Sequence, residues 1–208
     1  MQVDKYIQLG KTDIMIAPIG LGTMQWVNIH KPAGYSILEE NNYREIFHIN
    51  LDMGINFYDT AEIYGNGNSE SYLGKYYKEI EKKIVIAIKF MPFPWRLSKG
   101  QFRSALKRSM TRLGIGQVDL YQIHWPFPPV PIKAWMHAMS DAVADGIVRA
   151  VGVSNYSLSQ TEIACEALSK HDIPLASNQI KYNLLNRRPD KSGLINLCNQ
   201  LGITVIAY

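Results

Sequence analysis

The chain has 208 residues, 47% hydrophobic and 19% charged, with 15 Gly, 10 Pro and 2 Cys; this excludes disorder, a collagen-like fibre and a disulfide-stapled miniprotein. Lys and Arg number 22 against 18 Asp and Glu, a net charge of +4. With no basic run longer than Lys82-Lys83 and Arg187-Arg188, that is too little for a nucleic-acid footprint.

In chain order, short apolar runs centred near Ile19, Ile55, Ile86, Leu120, Val151, Ala176 and Val205 alternate with amphipathic stretches. A spacing of about 30 residues is that of parallel strands joined by crossover helices. Ile84 to Ile88 and Val148 to Val153 are nearly continuous apolar runs, as strands covered on both faces require. Three helix starts read as capping boxes: Ser36-Ile37-Leu38-Glu39, Ser98-Lys99-Gly100-Gln101 and Ser157-Leu158-Ser159-Gln160. Gly54, Gly114, Gly146 and Gly202 stand where a helix end wants a left-handed residue. Ile132, Trp135, Met136, Met139 and Val143 form one apolar stripe at helical spacing, so this Met and Trp pattern is core. Cys165 and Cys198 lie in helical patterns without CxxC or metal-ligand spacing and are expected to be buried, reduced thiols. No apolar run approaches bilayer length and no signal-like segment opens the chain, so a cytoplasmic protein with no membrane contact is expected.

Tandem parallel βα units build either an open doubly wound sheet or a closed (β/α)8 barrel. The dinucleotide fingerprint of the open sheet fails: Gly20-Leu21-Gly22-Thr23-Met24-Gln25 has two glycines and no third. The barrel is favoured, and in a barrel the chemistry sits at the C-terminal ends of the strands. There the second strand offers Asp59 and, a short turn later, Tyr64. The third ends at Lys89 and the fourth at His124, so a carboxylate, a phenol, an ammonium and an imidazole converge on one mouth. The fifth and sixth add Ser154, Asn155 and Gln179, polar groups suited to an uncharged polar ligand.

Gly20-Leu21-Gly22-Thr23, Asp59-Thr60-Ala61-Glu62-Ile63-Tyr64-Gly65, Lys89, Asp119 to Pro126, Gly152-Val153-Ser154-Asn155 and Asn178 to Asn183 together resemble the aldo-keto reductase superfamily. The likeness runs in order from about Tyr6 to Tyr208. Phe93-Pro94-Trp95-Arg96 and Ile173 to Gln179 are similar, more softly, to a bacterial and plastid branch of pyridoxal-reductase-like oxidoreductases. The resemblance implies NADPH-dependent reduction of aldehydes or ketones. Tyr64 would donate the proton, Lys89 would ease its ionisation, Asp59 would hold Lys89, and His124 would orient the carbonyl. By the same likeness Ser154, Asn155 and Gln179 would hold the nicotinamide carboxamide and Tyr208 would stack on its ring. Thr23, Met24 and Asp59 would complete the cofactor site. Trp26, Trp95 and Trp125 follow the first, third and fourth strands and fit either an aromatic substrate pocket or packing of loops over the mouth.

The resemblance also sets an expectation about extent. The family continues with an eighth strand and a basic segment gripping the cofactor 2′-phosphate, whereas this sequence stops at Tyr208. At about 30 residues per unit, 208 residues amount to roughly seven βα units of eight. The expectation is therefore one barrel domain over 1–208 lacking its C-terminal part, with weak NADPH binding by this chain alone. Two other readings remain open: a non-catalytic nucleotide-sensing regulatory subunit of the same fold, and an inactive fragment. Oligomeric state is not legible.

Overall fold

The computed structural model describes residues 5–27 and 40–208. The described chain opens with an antiparallel hairpin, β1 (Ile7–Gln8) and β2 (Met15–Ile16). Seven strands follow: β3 (Leu21–Gly22), β4 (Phe57–Asp59), β5 (Val85–Phe90), β6 (Val118–Ile123), β7 (Val148–Ser154), β8 (Leu175–Ile180) and β9 (Thr204–Ala207). Each pairs in parallel with its successor, so spatial order equals chain order. The helices are α1 (Glu40–Asp52), α2 (Asn68–Tyr77), α3 (Lys99–Leu113), α4 (Ile132–Ala144), α5 (Leu158–Ser169), α6 (Arg188–Lys191) and α7 (Leu194–Leu201). The result is a curled sheet carrying seven strands of a (β/α)8 barrel, with β3 and β9 at its two edges.

Five of the expected strand centres fall inside their strands, and Ile19 and Ile55 fall two residues early. The capping boxes at Ser98 and Ser157 form as expected, each hydroxyl accepting from the amide three residues on. That at Ser36 lies outside the described residues. Gly54, Gly114, Gly146 and Gly202 all adopt positive φ. The α4 stripe packs inward, with Trp135, Met136 and Met139 buried and Ile132 and Val143 against the same cluster. Cys198 is fully buried, but Cys165 is only half-buried, a correction to the expected burial of both; neither is bonded. Burial pushes the Cys198 thiol up to about 11.

Each strand divides its side chains between two cores. On β5, Ile86, Ile88 and Phe90 meet the helices, while Val85 and Ala87 point inward with Phe57, Leu120, Ala150 and Ala176. Leu9, Ile14 and Ile16 of the hairpin region join this inner cluster and plug the barrel floor. The plug closes the N-terminal end with apolar surface and leaves the strand C-termini as the polar mouth.

One irregularity aims a site residue. Val151 pairs with Leu175, but Gly152 pairs with Ser177, so Ala176 is an extra residue in β8. Such a bulge reverses the facing of the residues after it, because side chains alternate with period two. Ala176 faces the inner cluster, Asn178 turns outward to bond Tyr156 O and Thr161 Oγ1, and Gln179 turns into the mouth. Gly152 makes the arrangement possible: a Cβ there would strike Ser177 Oγ and lie 2.9 Å from Gln122 Cγ.

Candidate active site

Asp59 and Lys89 reach the mouth because each lies two residues beyond an inward-facing apolar residue, Phe57 and Ala87. Lys89 Nζ donates to Asp59 Oδ2 at 2.5 Å and to Thr60 O at 3.0 Å, and lies 3.4 Å from Tyr64 Oη. Gln122 Nε2 reaches the other Asp59 oxygen at 3.4 Å. The lysine side chain is 2% exposed, so a full positive charge is held away from water beside a carboxylate and a phenol. The Tyr64 and His124 rings meet edge to face, 5.8 Å between centroids.

The ionisation of this group differs in one respect from the sequence-based expectation. Burial, the largest influence, raises the Tyr64 phenol above its usual value; Lys89 lowers it, as expected, Asp59 adds a further upward push, and the net direction is up. The phenol therefore stays protonated at neutral pH. His124 moves the other way: burial, aided by the Lys89 ammonium, pulls it down to about 3, so the imidazole is neutral at physiological pH. A histidine whose pKa is lower folded than unfolded binds fewer protons in the folded state, so its contribution favours unfolding as pH falls below about 6.5. Accordingly, denaturation curves recorded between neutral and mildly acidic pH should show wild type losing stability faster than His124→Asn, and parallel slopes would contradict the neutral, buried imidazole.

These groups line a cavity of about 780 Å³ with Met24, Trp125, Ser154, Asn155, Gln179 and Tyr208 also in its wall. Asn155 holds a left-handed backbone, φ 62°, tolerable for Asn because its short polar side chain bonds locally. Its side chain donates to Ser154 Oγ at 3.0 Å and His124 O at 3.3 Å and accepts from Tyr208 Oη at 2.8 Å. Ser154 Oγ donates to Gln179 O at 3.0 Å. Among the described residues, Gln179 Oε1 and His124 Nδ1 find no partner and are buried. An unpartnered amide oxygen in a cavity wall is matched by an amide N–H, and the half-exposed Tyr208 ring offers a flat face nearby. The residues present thus fit a nicotinamide.

Three expected site residues do not reach the cavity. Thr23 is fully buried, its hydroxyl 2.6 Å from Ser69 Oγ and 3.1 Å from Asp59 O; this cluster braces the end of β4. Trp26 is buried against Tyr43 and Tyr76, with centroids 6.0 and 5.6 Å away. Trp95 is 67% exposed and stacks on Phe93 at 4.7 Å. Of the three expected tryptophans, Trp125 lines the wall. Gln122, not singled out from the sequence, emerges as a partner of Asp59; its two-residue spacing from inward-facing Leu120 is the available clue.

A curled parallel sheet with helices outside and a lysine, a carboxylate, a phenol and an imidazole gathered at its strand C-termini defines a (β/α)8-barrel protein whose site lies at the usual end. The chain belongs to the aldo/keto reductase family, whose sequence profile matches residues 18–208. It is 35% identical to the chloroplastic pyridoxal reductase of Arabidopsis thaliana over 94% of this chain, and 33% identical to the aldo-keto reductase YhdN of Bacillus subtilis over 91%. It spans 57% of the length of each of these relatives. Among solved structures it is similar to a thermostable aldo-keto reductase in complex with the inhibitor epalrestat, at TM-score 0.86 and 34% identity, over 98% of this chain and 72% of that one. Among the described residues, no helix is long and apolar enough to cross a membrane and no cluster of three or more His, Cys, Asp or Glu could hold a metal.

Proposed function

We propose that the whole protein reduces uncharged aldehydes or ketones to alcohols with NADPH, in the cytoplasm, where free thiols persist. The observation that carries this reading is the Asp59–Lys89–Tyr64 contact chain beside a neutral His124 in a mostly apolar cavity. When bound, the nicotinamide supplies hydride to the carbonyl carbon. Negative charge then grows on the carbonyl oxygen, and the residues of this chain meet it. The Tyr64 hydroxyl holds the proton that the oxygen takes, and the Lys89 ammonium 3.4 Å away stabilises the phenolate left behind. Asp59 keeps Lys89 in place, and the neutral imidazole of His124 orients the carbonyl. Ser154, Asn155 and Gln179 would hold the carboxamide and Tyr208 would cover the ring, with Met24 and Asp59 beside them.

The charged groups in the cavity wall also bear on the substrate. Asp59 and Lys89 neutralise one another and His124 carries no charge at neutral pH, so among the described residues the wall offers no net positive charge to an anionic carbonyl compound. The test is loss of NADPH absorbance when the whole protein is mixed with a panel of neutral and anionic aldehydes and ketones. Turnover confined to neutral carbonyls is the expected result. NADPH binding without turnover on any of them would instead favour a nucleotide-sensing regulatory subunit.

A further inference from the structure

If Tyr64 is the proton donor just proposed, it must be held against Lys89, and the turn that carries it has a permissive backbone. Gly65, Asn66 and Gly67 come directly after it with φ values of 55°, 57° and 93°. Two of these three left-handed residues are glycines and the third is an Asn, which tolerates the conformation, so the backbone is permissive here and the place of the turn is set by what is bonded to it.

The brace is an ion pair that the mechanism does not use. Glu62, two residues before Tyr64, is 8% exposed. Its Oε1 accepts from the Met91 amide at 2.8 Å and from Arg96 Nη1, and its Oε2 accepts from Arg96 Nη2 at 3.1 Å. Arg96 Nη1 also donates to Met91 O at 3.0 Å, and the guanidinium lies 5.0 Å from the Phe90 ring and 5.4 Å from that of Phe93. Met91 stands two residues after Lys89, so the pair joins positions symmetrically placed about the phenol and the ammonium. The bidentate fork fixes angle as well as distance, which a lysine could not do. A guanidinium engaged by a carboxylate, a carbonyl and two rings is also not free to receive an anionic substrate.

We propose that Glu62 and Arg96 are positioning residues that lock the Tyr64 turn to the segment following Lys89 and thereby set the distance between phenol and ammonium. Neither residue lines the cavity wall, so the pair acts through Tyr64 and Lys89.

The test uses Arg96→Lys, which keeps the charge but loses the fork, and Glu62→Gln, which can still accept from Met91, both in the whole protein. Each is expected to lower kcat by about 10–100-fold, the scale of a misplacement of about 1 Å, with KM changed by less than about threefold. A second readout does not need turnover: resonance of tyrosines labelled at Cζ, with Tyr64 assigned through Tyr64→Phe. Tyr64 is faced by Lys89, Asp59, His124 and Tyr208, and of these only Lys89 favours its ionisation. Loosening the brace should therefore move its titration upward in both variants. An unchanged Tyr64 titration with wild-type kcat would overturn the proposal, as would a rise in KM alone or a loss of thermal stability without movement of Tyr64. Should the wild type prove inactive on every carbonyl, the reductase reading fails, while the Tyr64 titration still decides the role of the brace. If Arg96→Lys does not fold, Glu62→Gln carries both measurements.

Discussion

Tyr64→Phe in the whole protein is expected to lower kcat for NADPH-dependent aldehyde reduction by about 10²–10⁴-fold, the usual worth of a positioned general acid. The substitution is conservative in every other respect. The ring keeps its edge-to-face contact with His124 and its place 5.1 Å from the Lys89 ammonium. The hydroxyl gives up a long hydrogen bond, its 3.4 Å contact with that ammonium. Thermal stability and NADPH affinity should accordingly change little, so a fall in kcat without a fall in either reads the proton alone. Turnover within tenfold of wild type would remove Tyr64 from the reaction.

The second large effect is on stability as well as activity. Lys89→Met leaves Asp59 with its charge nearly buried and without its cation, its remaining side-chain partner being a 3.4 Å contact to Gln122. Breaking one side of a buried pair costs about 3–5 kcal/mol, which for a chain of this size lowers Tm by about 10 °C. Asp59→Asn combined with Lys89→Met removes both charges. The double variant should therefore recover much of the lost stability while remaining inactive. Calorimetry of the two single variants and the double variant tests this coupling; strictly additive losses would mean that the carboxylate is adequately solvated without the lysine.

What could be read from residues alone was whatever is encoded locally. β-branched runs, two serine capping boxes and helix-ending glycines are short-range statements, and the strands and helices appear where those statements place them. Lys89 and Asp59 could be assigned to the mouth because a strand fixes the facing of its own residues. The hairpin floor escaped notice because its strands are two residues each, too short for any periodicity to register. The tryptophans fared unevenly for a related reason: a residue just past a strand end points wherever its loop carries it. Thus Trp26 dives under the barrel wall, Trp95 leaves it, and Trp125 faces inward. Thr23 lies behind the cavity wall because two other buried hydroxyls, Ser69 and Thr60, cluster with it, and one of them is 46 residues away in sequence. The Glu62–Arg96 brace likewise joins residues 34 apart, a pairing visible only once the two loops are adjacent.

The extra residue in β8 has a bearing on how this chain tolerates change. At Ala176 both the identity and the presence of the residue could vary without turning Gln179, because Gly152, Val153 and Ser154 pair with Ser177, Asn178 and Gln179 beyond the bulge. A regular strand of unchanged length would turn Gln179 out of the mouth and Asn178 into it, whereas a deletion of Ala176 would restore regular pairing with Asn178 still opposite Val153 and Gln179 still opposite Ser154. The bulge therefore absorbs a one-residue change in the length of β8 without altering which residues face the ligand. Any transfer of residue roles between relatives across this strand depends on where a gap is drawn.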